Sequence, residues 1–434
     1  MSDKFETIKR GLAGAFKPSA GVWRRQPVHT VYGGAQLFRP DTAAKLGRLA
    51  LRALEVYAPD PPALARALGV ECGGDTFALV YQRIREKLAR EPVEDYRIDF
   101  EDGYGIRADA EEDAHAAEAA RHTLEALDAG SLPPFFGIRI KPLSAGFEDR
   151  ALRTLDIFLR GLGGRLPQNF VVTLPKAASP AEPAALAGAL EILERENGLP
   201  EGAIKVEIMV ESAQALMDSG GCCPLNAMVE AARGRCSAAH FGPFDFTSSC
   251  GVTSKYQDLR HPLCDYARQA MQVALAGSGV FISDGPTAIL PTPLHQSPAD
   301  AQQQEENRRA VHAAWRLHFD HIWNALRQGI YQGWDLHPAQ LPVRYAAVYL
   351  FFLSETPAVA ARLRNFLDNA AQATLMHGVF DDAASGQGLL NFLLRAANCG
   401  AIAEAEVPAL TGIAIEEFRT GSIAAIMRRR VAGS

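Results

Sequence analysis

Two carboxylates stand where a divalent cation could be held. Glu211 closes the run Val206-Glu207-Ile208-Met209-Val210-Glu211, and Asp245 lies in Gly242-Pro243-Phe244-Asp245-Phe246 with aromatic residues on both sides. A strand alternates its faces, so Glu207, Met209 and Glu211 share one. A carboxylate that follows an apolar strand is costly to bury unless something pairs with it. Two of them at the ends of adjacent strands suit Mg²⁺ or Mn²⁺, which take a few protein oxygens and leave positions for water and substrate. Each carboxylate alone also reads as half of a structural ion pair. Arg139 is the third candidate, in Gly137-Ile138-Arg139-Ile140-Lys141-Pro142. Ile138 and Ile140 would face outward and Arg139 inward. A guanidinium there can grip a carboxylate or enolate oxygen through two bonds. It can also pair with Glu101 or Asp99, and both roles can hold together.

The elements that must position these residues alternate along the chain. Eight β-rich runs cover 28–34, 96–102, 135–142, 169–176, 204–212, 237–246, 280–286 and 333–338. Helical stretches separate them at 41–57, 109–128, 182–197, 226–233, 262–276 and 305–328. Strict alternation predicts a parallel sheet with right-handed crossovers, and eight units close naturally into an α/β TIM (β/α)8 barrel. The expected domains are an N-terminal extension at 1–27, a barrel at 28–345 with a helical insert after strand one at about 58–95, and a helical C-terminal extension at 346–434. Glycines 378, 386 and 388 are expected to break that extension, and 284–304 reads as a long Pro-rich loop. The working face of such a barrel is at the C-terminal strand ends. The residues expected there are Asp99, Glu101 and Asp102, Arg139 and Lys141, Lys176, Glu211, Asp245, Asp284 and His337.

Composition narrows the partners. The chain has 434 residues, 48% hydrophobic and 22% charged, with a formal net charge of −6. That is globular composition with no long basic run, which argues against nucleic acid and anionic membrane as partners. The start, MSDKFETIKRGLAGAF, lacks the apolar stretch of a secretory signal. No unbroken run of 18 or more apolar residues occurs, so no membrane span is expected. The seven cysteines include no C-x-x-C pair, which predicts reduced thiols in a cytoplasmic protein. No P-loop is present. His318 and His321, three apart on a helix, are expected to be a packed or solvated pair and not a metal site. His29 opens strand one, away from the working end. Gly33 and Gly34 can admit substrate to the backbone or make a simple turn.

Five motifs come in an order that carries a resemblance. IDFEDGYG at 98–105, GIRIKP at 137–142, LPKAASPAE at 174–182, EIMVESAQAL at 207–216 and HFGPFDFT at 240–247 are followed by GWDLHPAQ at 333–340. Together they resemble the citrate lyase β-subunit and HpcH/HpaI aldolase group of phosphoenolpyruvate/pyruvate-binding barrels, to which malate synthase-like enzymes belong. The resemblance implies that Glu211 and Asp245 bind the metal and that Arg139 holds the substrate's carbonyl or enolate oxygen. It places Glu101 and Asp102 beside the metal's water shell. Lys176, Gly242 and Pro243 join Arg139 in the expected substrate-binding set. In relatives a tail aspartate can reach a neighbouring subunit's site, which draws attention to Asp381 and Asp382.

The chain also departs from that group. Members that use coenzyme A begin with Arg-Ser-x-Leu-Phe-x-Pro-Gly at strand one, where this chain has His29-Thr30-Val31-Tyr32-Gly33-Gly34-Ala35. Gly103-Tyr104-Gly105 replaces a Ser-Val pair. The expected function is a Mg²⁺-dependent (or Mn²⁺-dependent) carbon–carbon lyase or aldolase working through an enolate. Its partner would be a small 2-oxo or 3-hydroxy acid or an acyl-CoA thioester. Two alternatives stay open: phosphoryl transfer on phosphoenolpyruvate, and a non-catalytic barrel subunit. The apolar stretches Ala346–Leu353 and 389–403 motivate the expectation of a homo-oligomer.

Overall fold

A computed structural model describes residues 24–71, 74–369, 374–376, 379–381 and 383–433, with side chains omitted at 370–384 and beyond 430. Eight parallel strands form a closed barrel in chain order: β1 (His29–Gly34), β2 (Asp95–Asp99), β3 (Phe135–Arg139), β4 (Phe170–Leu174), β5 (Lys205–Val210), β6 (Cys236–Phe241), β7 (Phe281–Pro286) and β8 (Gln332–Asp335). β8 closes the ring on β1, with His29 opposite Gly333 and Val31 opposite Asp335. The expected TIM barrel is therefore the fold, and all eight runs are strands.

Helices fill the crossovers. They are α1 (Thr42–Tyr57), the insert helices α2 (Pro61–Leu68) and α3 (Gly74–Arg90), α4 (Asp109–Asp128), α5 (Glu148–Gly161), α6 (Ala181–Glu196), α7 (Leu225–Ala231), the short α8 (Pro243–Ser249), α9 (Pro262–Leu275) and α10 (Ala301–Arg327). Helix α2 shows why the chain folds there. Asp60 accepts the Ala63 amide hydrogen at 2.7 Å, proline opens the first turn, and Gly69 ends it in the left-handed region at φ 59°. Helix α5 is not among the expected helical stretches; it buries Leu155, Phe158 and Leu159 on one face.

Charge and hydroxyl groups, not aliphatic layers, fill the lower barrel interior. Arg97 bonds Glu207 at 2.9 Å and also pairs with Asp95, which accepts from Thr30 at 2.8 Å. Thr173 and Tyr32 donate to Glu207 at 2.8 and 2.9 Å, and His240 lies 2.8 Å from the same carboxylate. Burial alone would raise the Glu207 pKa, but Arg97 and His240 hold it well below the usual carboxylate range. The charges named here are buried and paired, as burial requires.

The barrel unit spans Gln26–Ala274 and Val280–Phe351, and a second compact unit is built chiefly from Phe352 onward. Helix α11 (Leu341–Asp368) begins in the first unit. In the second unit an antiparallel pair, β9 (Thr374–Met376) and β10 (Val379–Asp381), precedes α12 (Ala383–Asn398). Short helices α13 (Val407–Thr411) and α14 (Ile415–Phe418) and a final α15 (Ile423–Gly433) follow. The extension is thus helical with one hairpin. Gly386 and Gly388 do not break it, since α12 runs through both. Gly378 lies outside the described residues.

By length and hydropathy the helix over Pro338–Asp368 is long and apolar enough to cross a membrane, because interspersed polar residues do not lower its mean enough; 56% of its most apolar window is buried within the protein. Of the stretch Ala346–Leu353, Ala346–Leu350 and Phe352 are buried within this chain and Phe351 and Leu353 are partly exposed, and the apolar face of α12 is buried. All described cysteines are free thiols.

Candidate active site

The strand ends of the barrel do converge on a cavity in which carboxylates and an arginine stand among apolar and aromatic side chains. It measures about 310 Å³ and is lined by Tyr32, Asp99, Asp102, Gly103, Arg139, Glu211, Gly242, Pro243, Asp245, Trp334 and neighbouring residues. Six of the eight expected site residues line this cavity. The other two, Glu101 and Lys176, touch its residues directly.

Arg139 ends β3 directly opposite Asp99 at the end of β2. Its Nε donates to Asp99 Oδ1 at 2.7 Å and its Nη2 to Oδ2 at 2.5 Å. The backbone N–H groups of Glu101 and Gly103 also donate to Asp99, at 2.9 and 2.7 Å. Burial would raise the Asp99 pKa, but Arg139 and these hydrogen bonds bring it below its ordinary value. The two-point grip expected for substrate is thus spent on Asp99. What remains is Nη1, 3.0 Å from Glu101 Oε2 and 3.8 Å from Asp102 Oδ2. The guanidinium lies 4.9 Å from the Tyr32 ring and 5.6 Å from the Trp334 ring, which fix its plane.

Lys176 follows β4 with φ 53°, in the left-handed region a non-glycine residue rarely adopts. That backbone turn aims its N–H at Glu211 Oε1, 2.5 Å away. Its side chain returns to Glu101 Oε1 at 2.6 Å and approaches Asp102 at 3.5 Å and Asp245 at 3.8 Å. One residue therefore ties four carboxylates together. Strain of this kind is tolerated where surrounding contacts over-determine it, often at functional sites.

Glu211 is buried at the end of β5, and its carboxyl is pushed up to about 8, first by burial and then by the charges of Glu101 and Asp245. Glu101 is also raised, by burial foremost and by Asp102. Asp245 was expected at the end of strand six; it sits instead in the first turn of α8, half-exposed, because Pro243 starts a helix immediately after β6. Gly242 makes room for Glu211: a Cβ there would lie 2.5 Å from the Glu211 Cβ and 2.8 Å from Oε2.

Other expected residues go elsewhere. Asp284 turns to the helix layer and pairs with Arg268 of α9 at 3.0 Å. His337 accepts from the Ala339 N–H at 3.2 Å and caps a helical turn. Lys141 bonds Glu112 at 2.6 Å and the Phe100 carbonyl at 2.8 Å. His318 and His321 are a packed pair, both against the Thr287 hydroxyl, as expected. His29 is buried 2.9 Å from Asp335. Gly33 and Gly34 admit protein, not substrate, since a Cβ would strike the Tyr96 hydroxyl and the Gly103 carbonyl. The side chain of Asp381, and Asp382 entirely, lie outside the described residues.

The site's chemistry fits a divalent cation. Four carboxylates, Glu101, Asp102, Glu211 and Asp245, face two cationic groups, Arg139 and Lys176. The Glu211 carboxyl is raised first by burial and then by the neighbouring carboxylates, and a hard cation held there would offset both. Among the described residues no group of three or more His, Cys, Asp or Glu side chains is arranged to hold a metal ion. Two carboxylates with open positions for water and substrate are the pattern magnesium favours.

Comparison with known proteins adds the fold's context. The family described as "Domain of unknown function (DUF6986)" matches residues 17–426. Among curated proteins, none matches the sequence significantly. A crystal structure of a citrate lyase from Burkholderia xenovorans LB400 superposes with a TM-score of 0.57 at 18% identity, over 91% of this chain and 97% of that one. Protein CitE from Mycobacterium tuberculosis, in complex with magnesium, acetoacetate and coenzyme A, gives 0.48 at 17% identity, over 87% and 99%. Haloferax volcanii malate synthase, as a lead(II) complex, gives 0.46 at 12% identity, over 93% and 99%. The first likeness shows a shared fold, in line with the motif resemblance; the other two are too remote to add to it.

Proposed function

The chain belongs to the DUF6986 family, and we propose that it is a divalent-metal-dependent carbon–carbon lyase or aldolase that works through an enolate of a small 2-oxo acid. The observation that carries this reading is the buried Glu211 carboxyl, which lines one cavity together with Asp245 and Arg139 and is crowded by the charges of Glu101 and Asp245. The fold shared with a citrate lyase supports it.

Glu211 and Asp245 would hold Mg²⁺ or Mn²⁺. Bound there, the cation would polarise a substrate carbonyl and lower the cost of charge building on its oxygen. Arg139 presents Nη1, its one nitrogen not committed to Asp99, to the same developing charge. Asp99, Tyr32 and Trp334 hold that guanidinium still, so no reorganisation is needed as charge develops. Lys176 keeps Glu101 and Glu211 in place from one side chain and one backbone N–H. Glu101, with its pKa raised, stands within this cluster as a group able to exchange a proton.

The reading is tested by following pyruvate's methyl protons in D₂O by NMR. Exchange that needs both protein and Mg²⁺ or Mn²⁺, and stops in Glu211→Gln, is the expected result. No exchange under any metal condition would contradict it.

A further inference from the structure

The loop between β5 and α7 carries two cysteines side by side, Cys222 and Cys223. Both are free thiols and exposed, as is every residue from 217 to 223. The other described thiols differ. Cys264 and Cys399 are buried, Cys236 is half-buried, and Cys250 is exposed with no cysteine beside it in the chain. Burial pushes Cys236 and Cys264 up to about 12, so both stay protonated at neutral pH.

The backbone around the pair is held. Asp218 Oδ1 accepts from the Gly220 and Cys222 N–H groups at 2.8 and 2.9 Å, and the Asp218 N–H donates to the Cys222 carbonyl at 2.9 Å. Gly221 closes that turn at φ 77°, which glycine adopts without strain. Pro224 caps α7 and biases Cys223, the residue before it, toward extended backbone.

Adjacency decides what two such thiols do best. Their Cα atoms, joined by a trans peptide, stand about 3.8 Å apart. A disulfide ordinarily joins Cα atoms about 4.4–6.8 Å apart, so a direct S–S bond here would be strained and easily reduced. A single soft atom between the sulfurs relieves that strain. Bonded to each at about 2.3 Å, the length of a zinc–thiolate bond, it holds them well beyond the ~2 Å of an S–S bond.

We propose that Cys222 and Cys223 form a dithiol site for a trivalent arsenical, which takes two sulfurs at a bent angle and needs no third protein ligand. The site is independent of the reaction proposed above. With an aryl arsenoxide, two As–S bonds form and the As–O bond breaks. The two thiol protons go to that oxygen, which leaves as water. Arsenic stays trivalent, and nothing is oxidised or reduced.

The test titrates the reduced full-length protein with phenylarsine oxide, reading intact mass and the count of reactive thiols. The expected result is one phenylarsenic group per chain with two thiols lost together, reversed by 1,2-ethanedithiol and not by an equal concentration of 2-mercaptoethanol. Each of Cys222→Ser and Cys223→Ser, changes at exposed positions, should weaken binding by ~10²-fold or more, because the second bond is then no longer intramolecular. Cys250→Ser should bind as the wild type does. No binding in the wild type, one thiol lost per arsenic, or equal affinity in Cys222→Ser or Cys223→Ser would overturn the proposal.

Discussion

Arg139 and Asp99 end neighbouring strands in register, and both guanidinium edges that Asp99 can reach are bonded to it, at 2.7 and 2.5 Å. The arginine is therefore a fixed post with one working nitrogen, not a free clamp. Breaking a buried pair of this kind by removing one charge leaves the other uncompensated.

Asp99→Asn should accordingly destabilise the protein by about 3–5 kcal/mol in denaturant unfolding. Arg139→Lys keeps a charge but cannot span both Asp99 oxygens and Glu101, and should lower pyruvate proton exchange by roughly 10²-fold. Exchange at the wild-type rate in Arg139→Lys would show that Nη1 has no part in the chemistry.

Gly242→Ala tests the space around Glu211. The new Cβ would press on the Glu211 Cβ and Oε2 at 2.5 and 2.8 Å, and the carboxylate would have to move. Mn²⁺ affinity should fall by about 10-fold or more, as when a ligand's orientation is disturbed. Affinity within error of wild type would mean that Glu211 can move freely or is not a ligand.

Tyr32→Phe separates the ring from its hydroxyl. The ring stays beside Arg139, while Glu207 loses a donor at 2.9 Å. The expected cost is about 1–2 kcal/mol of stability, with Mn²⁺ binding nearly unchanged. A loss of metal binding larger than the loss of stability would place the hydroxyl in the site itself.

Acid stability should depend on His318. It is buried 3.0 Å from Asp335, beside Thr287, and burial pushes its pKa down to about 4. Its unfolded-state value is about 6.5. The unfolded chain thus binds a proton that the folded protein refuses between these values. The neutral histidine's contribution is complete above about pH 6.5 and is lost as pH falls toward about 4, a change on the order of 3 kcal/mol. Unfolding midpoints of wild type and His318→Gln, measured from neutral pH to pH 5, isolate this group from others that titrate nearby. The variant should lose less stability on acidification; parallel curves would refute the assignment.

Much of this arrangement was legible in sequence. All eight strands carry strong β signals between helices, and the mouth residues follow them directly. Three features were hidden. Asp95, Arg97 and Asp99 alternate at two-residue spacing, which signals a charged inward face, against the expectation that barrel interiors are apolar. Asp284 lies within β7 and His337 two residues beyond β8, and nothing in the sequence marks that one turns to Arg268 and the other to the Ala339 N–H. The left-handed turn at Lys176 has no sequence mark, because glycine is the residue that advertises such a turn and lysine does not.

The central claim is that Glu211 and Asp245 hold a divalent cation. Its most direct test is a calorimetric titration of the metal-stripped protein with Mn²⁺, alongside Glu211→Gln and Asp245→Asn. The account predicts one site per chain in the wild type, weakened by about 10²-fold or more in each variant. Binding of equal strength in all three proteins, or none in the wild type, would contradict it.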